Sequence, residues 1–475
     1  MSKQISIKDF IAQVSRGNQR NSAVYFLGIG GIGMSALARY FNSKGLKVSG
    51  YDKTPTVLTT QLQSEGIAIH FEDRIDLIEK EATLVIYTPA IPKDHQEYNY
   101  FLKNNYTILK RSEVLGIITE SSFNICVAGT HGKTTTSSMI AHILRHSEFG
   151  CNAFLGGIAT NYDTNFWSSE KNICVVEADE YDRSFLKLMP NIAVITAIDP
   201  DHLDIYGTAE NFREAFTAFA AKVKTGGLLI SKYGLNKNNE LSSVRNISYS
   251  VSNTAADAYA QQIVMKHGSY QFDININGEI IHGVELNMGG MHNVENIIAA
   301  AVAAKYAGVA PDKIREAIKS YKGVKRRFEY IIKDESMVMI DDYAHHPQEL
   351  IALIGGAKEL FPEKKCTVVF QPHLFSRTND FADDFATALS RAEEVFILPI
   401  YPARELPMEG VTSSLIASKM NKSNVVVCTR EELIRIMEEK RKSKSPDMLI
   451  TAGAGDIDTL VNPLKQIFEN KHKEN

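Results

Sequence analysis

The sequence predicts an α/β protein with three domains: a Rossmann-like N-terminal domain, a central P-loop ATPase-type domain and a C-terminal Rossmann-like domain. Its 475 residues are too many for one hydrophobic core. Short apolar segments alternate with helical segments along most of the chain, which is typical of parallel β-α-β units. Two glycine-rich loops, at Gly28 and Gly129, each follow an apolar segment, and one sheet rarely needs two such loops. We therefore predict domains at residues 1–122, 123–325 and 326–475.

The composition is that of an ordinary soluble globular protein, with 44% hydrophobic and 23% charged residues. A formal net charge of −4 gives no reason to expect a nucleic-acid partner. The start of the chain, MSKQISIKDF, lacks the apolar segment of a signal peptide, and no segment approaches the ~18 apolar residues of a membrane-spanning helix. Five cysteines without a C-x-x-C pair argue against a zinc site or a disulfide framework. We expect a cytoplasmic protein with neither a nucleic-acid nor a membrane partner.

The first predicted domain contains five strand segments and a glycine loop after the first of them. The strand segments are AVYFLG, LKVSGYD, IAIH, TLVIYTP and YTILK. The loop FLGIGGIGM places Gly28, Gly30 and Gly33 at G-x-G-x-x-G spacing before a helical segment, and Asp52 follows about 20 residues later. This pattern predicts a diphosphate at a helix N-terminus. Taken alone, it also fits an NAD-dependent dehydrogenase, which remains one alternative.

The second glycine loop, GTHGKTTT at residues 129–136, lies between the apolar segment NICVA and a helical segment. Glycines let backbone N–H groups turn toward phosphate oxygens, and the helix N-terminus adds a partial positive charge. Lys133 is expected to reach the β- and γ-phosphates of a nucleotide, and Thr134 to ligate Mg²⁺. Only two residues separate the first two glycines, so this loop is a shortened variant of the usual P-loop.

Carboxylates and a histidine follow the next two predicted strands of the central domain. EADEYDRSF begins at Glu177, and DPDHLDIYG contains His202. Ligands of such sheets bind at the carboxyl ends of the strands, so Glu177 and His202 are candidate metal ligands. Mg²⁺ prefers oxygen donors, and a histidine ligand would also admit Mn²⁺. Glu180 and Asp182 fit a solvated acidic turn equally well.

The central domain is predicted to end with a hairpin and a helix. DININGEIIHGVEL carries an Asn-Gly pair, which is a strong signal for a two-residue turn. MHNVENIIAAAVAAKYAG, residues 291–308, predicts an amphipathic helix that ends at glycine. Its first turn carries His292, Asn293 and Asn296, whose side chains suit an adenine edge, and Asn293 also suits helix capping.

The third predicted domain follows GVKRRF and has strands at MVMIDDY, CTVVFQPH, EVFILPIY, VVVCT and DMLITAGA. An arginine of GVKRRF aimed at a γ-phosphate would stabilise the charge of a transferring group. We interpret DDYAHHPQE as a substrate-contacting loop rather than a zinc site, because adjacent histidines point apart and Pro347 suits the first turn of a helix. QPHLFSRT offers His373 and Arg377, which can pin a carboxylate.

Taken together, these motifs resemble the Mur ligases of bacterial cell-wall synthesis. GTHGKTTT, EADEYDRSF, DHLD, HNVEN, RRF and DDYAHHPQE follow one another in the order of that family and cover nearly the whole chain. The family is known for three domains. The first binds the UDP-sugar, the second binds ATP, and the third helps to hold ADP and the incoming amino acid. FLGIGGIGM, DDYAHHP and FQPH with SRT are most similar to the family member that adds L-alanine.

The resemblance implies roles for individual residues. The UDP diphosphate would be held by Gly28, Gly30, Gly31, Ile32, Gly33 and Met34, with Asp52 on the nucleoside side. ATP would be bound by Gly129, Thr130, His131, Gly132, Lys133, Thr134, Thr135, His292, Asn293, Asn296, Arg327 and Asp342. Mg²⁺ would be held by Thr134, Glu177 and His202. The substrate would be contacted by His345, His346, His373 and Arg377, and the catalytic residues would be Lys133, Arg327 and His202.

The implied activity is ATP-dependent ligation of L-alanine to the lactyl carboxylate of UDP-N-acetylmuramate through an acyl phosphate, which releases ADP and phosphate. ATP and Mg²⁺ (with Mn²⁺ as a substitute) are the implied cofactors of a monomer or homodimer. His202 and His346 are candidates for the base that deprotonates the amine. The alternatives are the relative that joins a tripeptide to the same sugar nucleotide, the dehydrogenase, and a non-catalytic nucleotide-binding module.

Two departures from the family bear on these expectations. Several relatives that act later in the pathway carry a carbamylated lysine after the DH pair, whereas TAENFREAFTAFAA contains no lysine, which agrees with the L-alanine-adding member. Leu374 and Phe375 stand where many relatives have Arg-Tyr. This second departure leaves the contacts of that loop open.

Overall fold

The structure is a computed structural model that describes residues 6–15, 22–236, 240–241, 244–266, 268–403, 405–421, 424–443 and 445–469. Within them, strands and helices alternate and form three β-sheets, one in each predicted domain range. The α/β class with Rossmann-like, mostly parallel sheets is confirmed. The domain boundaries at residues 122 and 325 stay predictions.

The first sheet is fully parallel. Its region contains α1 (Ile7–Ser15), β1 (Ala23–Leu27), α2 (Ile32–Ser43), β2 (Lys47–Tyr51), α3 (Val57–Ser64), β3 (Ala68–His70), β4 (Ala82–Tyr87), α4 (Gln96–Lys103), β5 (Ile108–Lys110) and α5 (Arg111–Glu120). The strand order is β3-β2-β1-β4-β5. The five predicted strand segments are confirmed, and β1 is buried along its whole length, as expected for the central strand of a sheet with both faces covered.

The second sheet is the largest, with ten strands. Its region contains β6 (Phe123–Ala128), α6 (Lys133–His146), β7 (Asn152–Ala159), β8 (Thr164–Trp167), β9 (Ile173–Glu177), a 3-10 helix (Ser184–Lys187), β10 (Ile192–Ile195), α7 (Leu203–Tyr206), α8 (Ala209–Ala220), β11 (Leu228–Lys232), β12 (Asn246–Ser250), β13 (Ala258–Lys266), β14 (Ser269–Ile276), β15 (Glu279–Leu286), α9 (Met291–Ala307) and α10 (Pro311–Ser320). The strand order is β15-β14-β13-β12-β11-β10-β6-β9-β7-β8. The parallel strands β6, β9 and β10 form its centre.

The third sheet has six strands and one antiparallel edge. Its region contains β16 (Glu329–Lys333), β17 (Val338–Asp342), α11 (Pro347–Leu360), β18 (Cys366–Phe370), α12 (Phe375–Asp380), α13 (Ala382–Leu389), β19 (Glu394–Ile397), α14 (Ser413–Lys419), β20 (Val425–Val427), α15 (Arg430–Lys442), β21 (Met448–Ala452), a 3-10 helix (Asp456–Leu460) and α16 (Val461–Glu469). The strand order is β16-β17-β21-β18-β19-β20, and only β16 pairs antiparallel with its neighbour.

The predicted hairpin and helix of the central region are confirmed. The turn between β14 and β15 consists of Asn277 (φ +51°) and Gly278 (φ +86°), and positive φ at both positions is the geometry of a type I′ turn. Helix α9 ends one residue before Gly308, whose φ is +109°. The antiparallel strand β8 and the edge strand β16 do not correspond to any strand that was predicted from the sequence.

By its internal contacts the chain divides into two compact units. The first comprises Met1–Gln261, Asp273–Val284 and Glu295–Lys319, and the second comprises Gln262–Phe272, Glu285–Val294 and Ser320–Asn475. In the part of the chain that the structure describes, no helix combines the length and the apolar character that crossing a bilayer requires.

The larger of two apolar clusters described in the first unit runs from the first sheet into the second. The Tyr40 ring of α2 lies 5.3 Å from the Phe154 ring of β7 and 6.1 Å from the Phe166 ring of β8. Beside these rings, the buried Arg39 donates to Asn165 and forms an ion pair with Glu65 (2.7 Å). Helix α2, which follows the first glycine loop, is therefore packed directly on strands of the central sheet.

Candidate active site

The loop between β6 and α6 needs its glycines. Gly129 has φ +139°, and a Cβ there would overlap the Thr196 hydroxyl, while Gly132 has φ +81° directly before α6. Thr196 Oγ1 donates to the carbonyl of His131, which ties the loop to the end of β10. The side chain of Thr130 donates to the Asp199 carbonyl (2.8 Å). The loop is thus a fixed turn at the N-terminus of a 14-residue helix, which is the arrangement that binds phosphate groups.

Lys133, the first residue of α6, has two acceptors. Its Nζ donates to the Gly129 carbonyl (2.7 Å) and to Glu180 Oε1 (2.6 Å). Glu180 is only 2% exposed, and burial raises the pKa of its carboxyl group although Lys133 acts in the opposite direction. The interpretation of Glu180 as part of a solvated turn is wrong, because this carboxylate is buried and paired with the loop lysine.

Thr134 and Glu177 bring oxygen donors together beside Lys133. Thr134 Oγ1 donates to Glu177 Oε1 (3.0 Å), and Glu177 Oε2 accepts from the Gly156 amide (2.9 Å). A hydroxyl and a carboxylate suit Mg²⁺, which usually takes one or two carboxylates and completes its shell with water and substrate phosphates. Among the described residues, no cluster of three or more His, Cys, Asp or Glu side chains is placed to hold a metal. The Thr134 hydroxyl and the Glu177 carboxylate fit a site in which protein and phosphate oxygens share the metal.

His202 lies in a left-handed turn (φ +51°) directly before α7. Its ring meets the Tyr181 ring edge to face at 5.1 Å, and its Nε2 lies 3.7 Å from Asp201 Oδ2. Tyr181 belongs to the loop that follows Glu177, the last residue of β9, and that also carries Glu180. The two polar loops that the sequence analysis picked out are thus adjacent, at the carboxyl ends of β9 and β10.

The start of α9 carries the predicted adenine residues. Asn293 is 2% exposed, its Nδ2 donates to the Gly289 carbonyl (2.7 Å), and its amide donates to the Gly290 carbonyl (2.8 Å). Burial lowers the pKa of His292. Asn296 lies against the second glycine loop: a Cβ on Gly132 would lie 2.7 Å from Asn296 Oδ1. Asn293 is the third residue of α9 and its side chain donates to a carbonyl before the helix, so it does not occupy the N-cap position. A contact with adenine stays a prediction for all three residues.

Asp52, which follows β2, fixes the shape of the first glycine loop through hydrogen bonds. Asp52 Oδ2 accepts from the Gly30 amide (2.7 Å) and Oδ1 accepts from the Thr54 amide (3.3 Å). Gly28 has φ +84°, and a Cβ on it would lie 2.5 Å from Thr88 Cγ2. Helix α2 then begins at Ile32. The aspartate shapes the loop, and its expected contact with a nucleoside stays a prediction.

A cavity of about 250 Å³ joins the first glycine loop to Glu177. Arg111, at the start of α5, reaches into it: a Cβ on Gly33 would lie 3.0 Å from Arg111 Nη1, and Nη2 lies 3.9 Å from Asp179 Oδ2. A guanidinium beside a helix N-terminus meets like partial charge and favours the binding of an anion there. The cavity is lined by Gly31, Ile32, Gly33, Met34, Ala36, Leu37, Thr88, Arg111, Leu115, Phe154, Leu155, Gly156, Glu177 and Asp179.

In the second unit, the half-buried Asp342 holds the backbone around the double arginine. Asp342 accepts from the amides of Phe328 (2.6 Å) and Ala344 (2.7 Å), and burial raises its pKa to about 6. Arg326 donates to the Gly453 carbonyl. Arg327 is exposed. Asp342 therefore shapes the backbone beside Arg327, and its contact with ADP stays a prediction.

The predicted substrate-contacting residues of the second unit fall into two groups. The His345 ring lies 6.0 Å from the His373 ring, and His373 Nδ1 lies 3.3 Å from Arg377 Nη1. His346 instead packs on Phe381, with ring centroids 4.8 Å apart. Burial lowers the pKa of both His345 and His373. The structure thus brings His345, His373 and Arg377 together, with His346 turned toward another neighbour.

Sequence reasoning missed two residues of this site, Arg111 and Glu180. Arg111 directly follows β5, so its place at the carboxyl end of a parallel strand was a usable signal. Glu180 also follows a strand, but its sequence fits a solvated acidic turn equally well, and its carboxylate pairs with Lys133, which is 47 residues away in the chain (2.6 Å).

Family models match successive parts of the chain. The description "Mur ligase family, catalytic domain" matches residues 23–122, "Mur ligase middle domain" matches residues 127–304, and "Mur ligase, glutamate ligase domain" matches residues 326–455.

Full-length relatives are similar over almost the whole chain. The UDP-N-acetylmuramate–L-alanine ligase of Porphyromonas gingivalis is 48% identical over 453 residues, which cover 94% of this chain and 99% of the relative. The enzyme of the same name from Flavobacterium johnsoniae is 49% identical over 449 residues, with 94% and 97% covered. The solved structure of the UDP-N-acetylmuramate-alanine ligase of Thermotoga maritima superimposes with a TM-score of 0.77 at 27% identity, covering 95% of this chain and 99% of that one.

Proposed function

The chain belongs to the Mur ligase family, and we propose that it joins L-alanine to the lactyl carboxylate of UDP-N-acetylmuramate in an ATP-driven reaction. The products are UDP-N-acetylmuramoyl-L-alanine, ADP and phosphate, so the reaction is an early step of peptidoglycan precursor synthesis. Relatives that carry the name of this activity are 48% and 49% identical over nearly their full length.

One observation carries the proposal: a single cavity connects the first glycine loop with the carboxylate beside the second. Gly31 and Gly33 line one end of this cavity, and Glu177 lines the other. Glu177 in turn accepts from Thr134 of the second loop. A diphosphate bound at the first loop would therefore extend its attached sugar toward the loop that suits a nucleotide triphosphate. A dehydrogenase would have no use for the second loop.

The UDP-sugar is proposed to bind at Gly28–Met34. The N-terminus of α2 and the Arg111 guanidinium supply positive charge for its diphosphate. Asp52 keeps the loop in shape by accepting from the Gly30 amide, and we propose that its exposed side faces the nucleoside.

ATP is proposed to bind at the second loop. The amides of Gly129–Thr135 and the ammonium of Lys133 would hold its phosphates. His292, Asn293 and Asn296 of α9 would face adenine, and Arg327 and Asp342 would contact the nucleotide from the segment that follows GVKRRF. The use of ATP fits the Mur ligase family. The contacts proposed for individual residues are argued from their sequence motifs.

Mg²⁺ is the metal that the site fits, with Thr134, Glu177 and His202 as its proposed protein ligands and Mn²⁺ as a substitute. When bound, it would reduce the negative charge on the phosphates. The oxygen pair of Thr134 and Glu177, 3.0 Å apart, supports this choice, because oxygen donors suit Mg²⁺.

The reaction must activate a carboxylate, which is a poor electrophile because it is an anion. The lactyl carboxylate attacks the γ-phosphorus of ATP, which forms an acyl phosphate and releases ADP. The neutral amine of L-alanine then attacks the acyl carbon and forms the C–N bond, the C–O bond to the phosphate breaks, and phosphate leaves with the bridging oxygen. Lys133 and Arg327 are proposed to offset the charge of the two reacting anions, and loss of one such group costs ~10²–10³-fold in rate. His202 and His346 are the candidates for the base that accepts the proton of the amine.

L-alanine is proposed to be held by residues of the second unit. Arg377 and His373 are adjacent (3.3 Å) and offer a guanidinium and an imidazole to the alanine carboxylate. His345 lies against His373, and we include His345 and His346 among the substrate contacts. We further propose a cytoplasmic monomer or homodimer whose partners are small-molecule substrates.

The test is phosphate release from ATP in the presence of UDP-N-acetylmuramate, with L-alanine, glycine, L-serine or an L-alanyl-containing tripeptide as the amine. We expect L-alanine to stimulate release most strongly. Stimulation by the tripeptide but not by L-alanine would favour the peptide-recycling alternative. NAD(P)H-dependent absorbance change without phosphate release would favour the dehydrogenase, and no stimulation by any amine would overturn the proposal.

A further inference from the structure

The ammonium of Lys133 is held by a buried carboxylate that the proposed reaction does not use. Glu180 Oε1 accepts from Lys133 Nζ at 2.6 Å, and the lysine side chain is 15% exposed while that of Glu180 is 2% exposed. Glu180 Oε2 has no hydrogen-bond partner within the described parts of the chain. Lys133 is therefore the cation that compensates this buried charge. Burying a charge is costly unless it is paired, so the pair is not an incidental surface contact.

The geometry of the pair leaves one donor of the lysine available. An ammonium group has three N–H donors, and two of them are committed, to the Gly129 carbonyl (2.7 Å) and to Glu180 Oε1. Two fixed acceptors on a flexible side chain set the position of Nζ. The third N–H then points in one direction. A phosphate oxygen at the loop can accept a hydrogen bond from it without breaking either of the other two hydrogen bonds.

The backbone of Glu180 is itself fixed by neighbouring elements. Its carbonyl accepts from the Tyr206 hydroxyl (2.5 Å) of α7 and from the Arg183 amide (2.9 Å). The backbone that carries the carboxylate is therefore held in place, and this allows the carboxylate to orient the lysine. Asp182, two residues further along, is exposed, and one of its oxygens accepts from the Ser184 amide (3.1 Å).

We propose that Glu180 is a positioning residue that holds the Lys133 ammonium in its phosphate-binding place for phosphoryl transfer. The inference rests on the proposed function, because it assumes that Lys133 acts on the γ-phosphate. Glu180 acts through Lys133 and touches neither the substrate nor the metal ligands. This role differs from that of Glu177, whose oxygens face Thr134 and Gly156.

A double-mutant cycle tests the proposal in the full-length enzyme. The proteins are wild type, Glu180→Gln, Lys133→Met, the double variant, and Asp182→Asn as a matched loss of charge in the same loop. We measure kcat and KM for ATP with UDP-N-acetylmuramate and L-alanine saturating, the Mg²⁺ dependence, and the melting temperature. ATP binding is also titrated without the other substrates.

We expect Glu180→Gln to lower kcat about 10- to 100-fold, the size of a lost charge-assisted hydrogen bond, and to weaken ATP binding by a smaller factor of about three- to tenfold. In the Lys133→Met background the same change should cost less than about threefold, because a coupled pair is not additive. Asp182→Asn should stay within about twofold of wild type. Glu180→Asp, which keeps the charge, should recover part of the loss and takes the place of Glu180→Gln if that variant does not fold.

Three results would overturn the inference: a kcat within about threefold of wild type, an equal loss in both lysine backgrounds, or a raised Mg²⁺ requirement, which would make Glu180 a metal ligand. A wild type without L-alanine-stimulated turnover would instead contradict the proposed function. In that case the ATP titration decides. A shift of the ATP Kd by Glu180→Gln that vanishes in the Lys133→Met background supports the pair, and an additive shift or no shift contradicts it.

Discussion

At the scale of single residues, the candidate site depends on the Glu177 carboxylate, whose position is restricted by its neighbours. A Cβ on Gly156 would overlap both carboxylate oxygens of Glu177. The same carboxylate accepts hydrogen bonds from the Gly156 amide and the Thr134 hydroxyl. One glycine of β7 therefore fixes the side chain that the proposed metal requires.

Gly156→Ala is expected to displace the Glu177 carboxylate and raise the Mg²⁺ concentration for half-maximal activity at least about tenfold, in the range of 10–100-fold that disturbing the surroundings of a metal ligand costs. The measurement is a Mg²⁺ titration of phosphate release. Gly355→Ala is the matched control, since a Cβ on Gly355 meets no atom within 4 Å. An unchanged Mg²⁺ titration for Gly156→Ala would show that Glu177 is not a ligand in the reaction.

Arg111→Ala is expected to raise KM for UDP-N-acetylmuramate about 10- to 100-fold, because a charge-assisted hydrogen bond to the diphosphate is lost. KM for ATP should change little. Steady-state kinetics with each substrate varied in turn separates the two. Arg74→Ala removes an exposed arginine of the same region, which pairs with Asp76, and should leave both constants unchanged. Equal changes in both KM values for Arg111→Ala would contradict a specific contact with the UDP-sugar.

At the scale of elements, a buried polar network ties α4 to the first sheet. The Tyr25 hydroxyl of β1 donates to Glu97 Oε2 (2.7 Å) and lies 2.7 Å from His70 Nε2 of β3, and the Arg74 amide donates to Glu97 Oε1 (3.1 Å). Glu97 is fully buried. Burial raises its pKa from 4.5 to about 7, and the nearby Asp73 adds to the shift. Burial also keeps the pKa of His70 below its usual range.

This network predicts a pH dependence of stability. Because the folded pKa of Glu97 exceeds the unfolded one, the folded state binds the proton more tightly, and stability falls as pH rises from about 4.5 to about 7. The loss is on the order of 3 kcal/mol. Glu97→Gln cannot ionise, so its melting temperature relative to wild type should rise across this window and stay level above it. Glu81→Gln, at an exposed site, is the control, and a difference that does not change with pH would contradict the shift.

Elements with strong local signals were predictable from the sequence, and those decided by distant contacts were not. The glycine loops, the Asn277-Gly278 turn and α9 follow from residues that require one backbone geometry, such as φ +139° at Gly129. Strand β8 has no comparable signal, because it exists by pairing with β7. Glu180 lies in an acidic loop that looks solvated in sequence, and its burial depends on contacts with Lys133 and Tyr206.

At the scale of the whole molecule, the chain has two glycine loops that each precede a helix, and we propose a different phosphate ligand for each. The first loop and the second lie within one unit, and a shared core runs between their sheets. A cavity runs from the first loop to Glu177, whose carboxylate accepts from Thr134 of the second loop. For this reason we propose a sugar nucleotide and not a nicotinamide at the fingerprint of Gly28. A chain that must bring a sugar-nucleotide carboxylate to ATP needs both loops.

In the proposed reaction, the carboxylate of UDP-N-acetylmuramate is activated by transfer of the γ-phosphoryl group. The most direct test of this step uses UDP-N-acetylmuramate with ¹⁸O in both lactyl carboxylate oxygens, together with ATP and L-alanine, followed by mass spectrometry of the products. We expect one ¹⁸O atom in each phosphate released and one in the new amide. Unlabelled phosphate, or ¹⁸O in AMP, would contradict it.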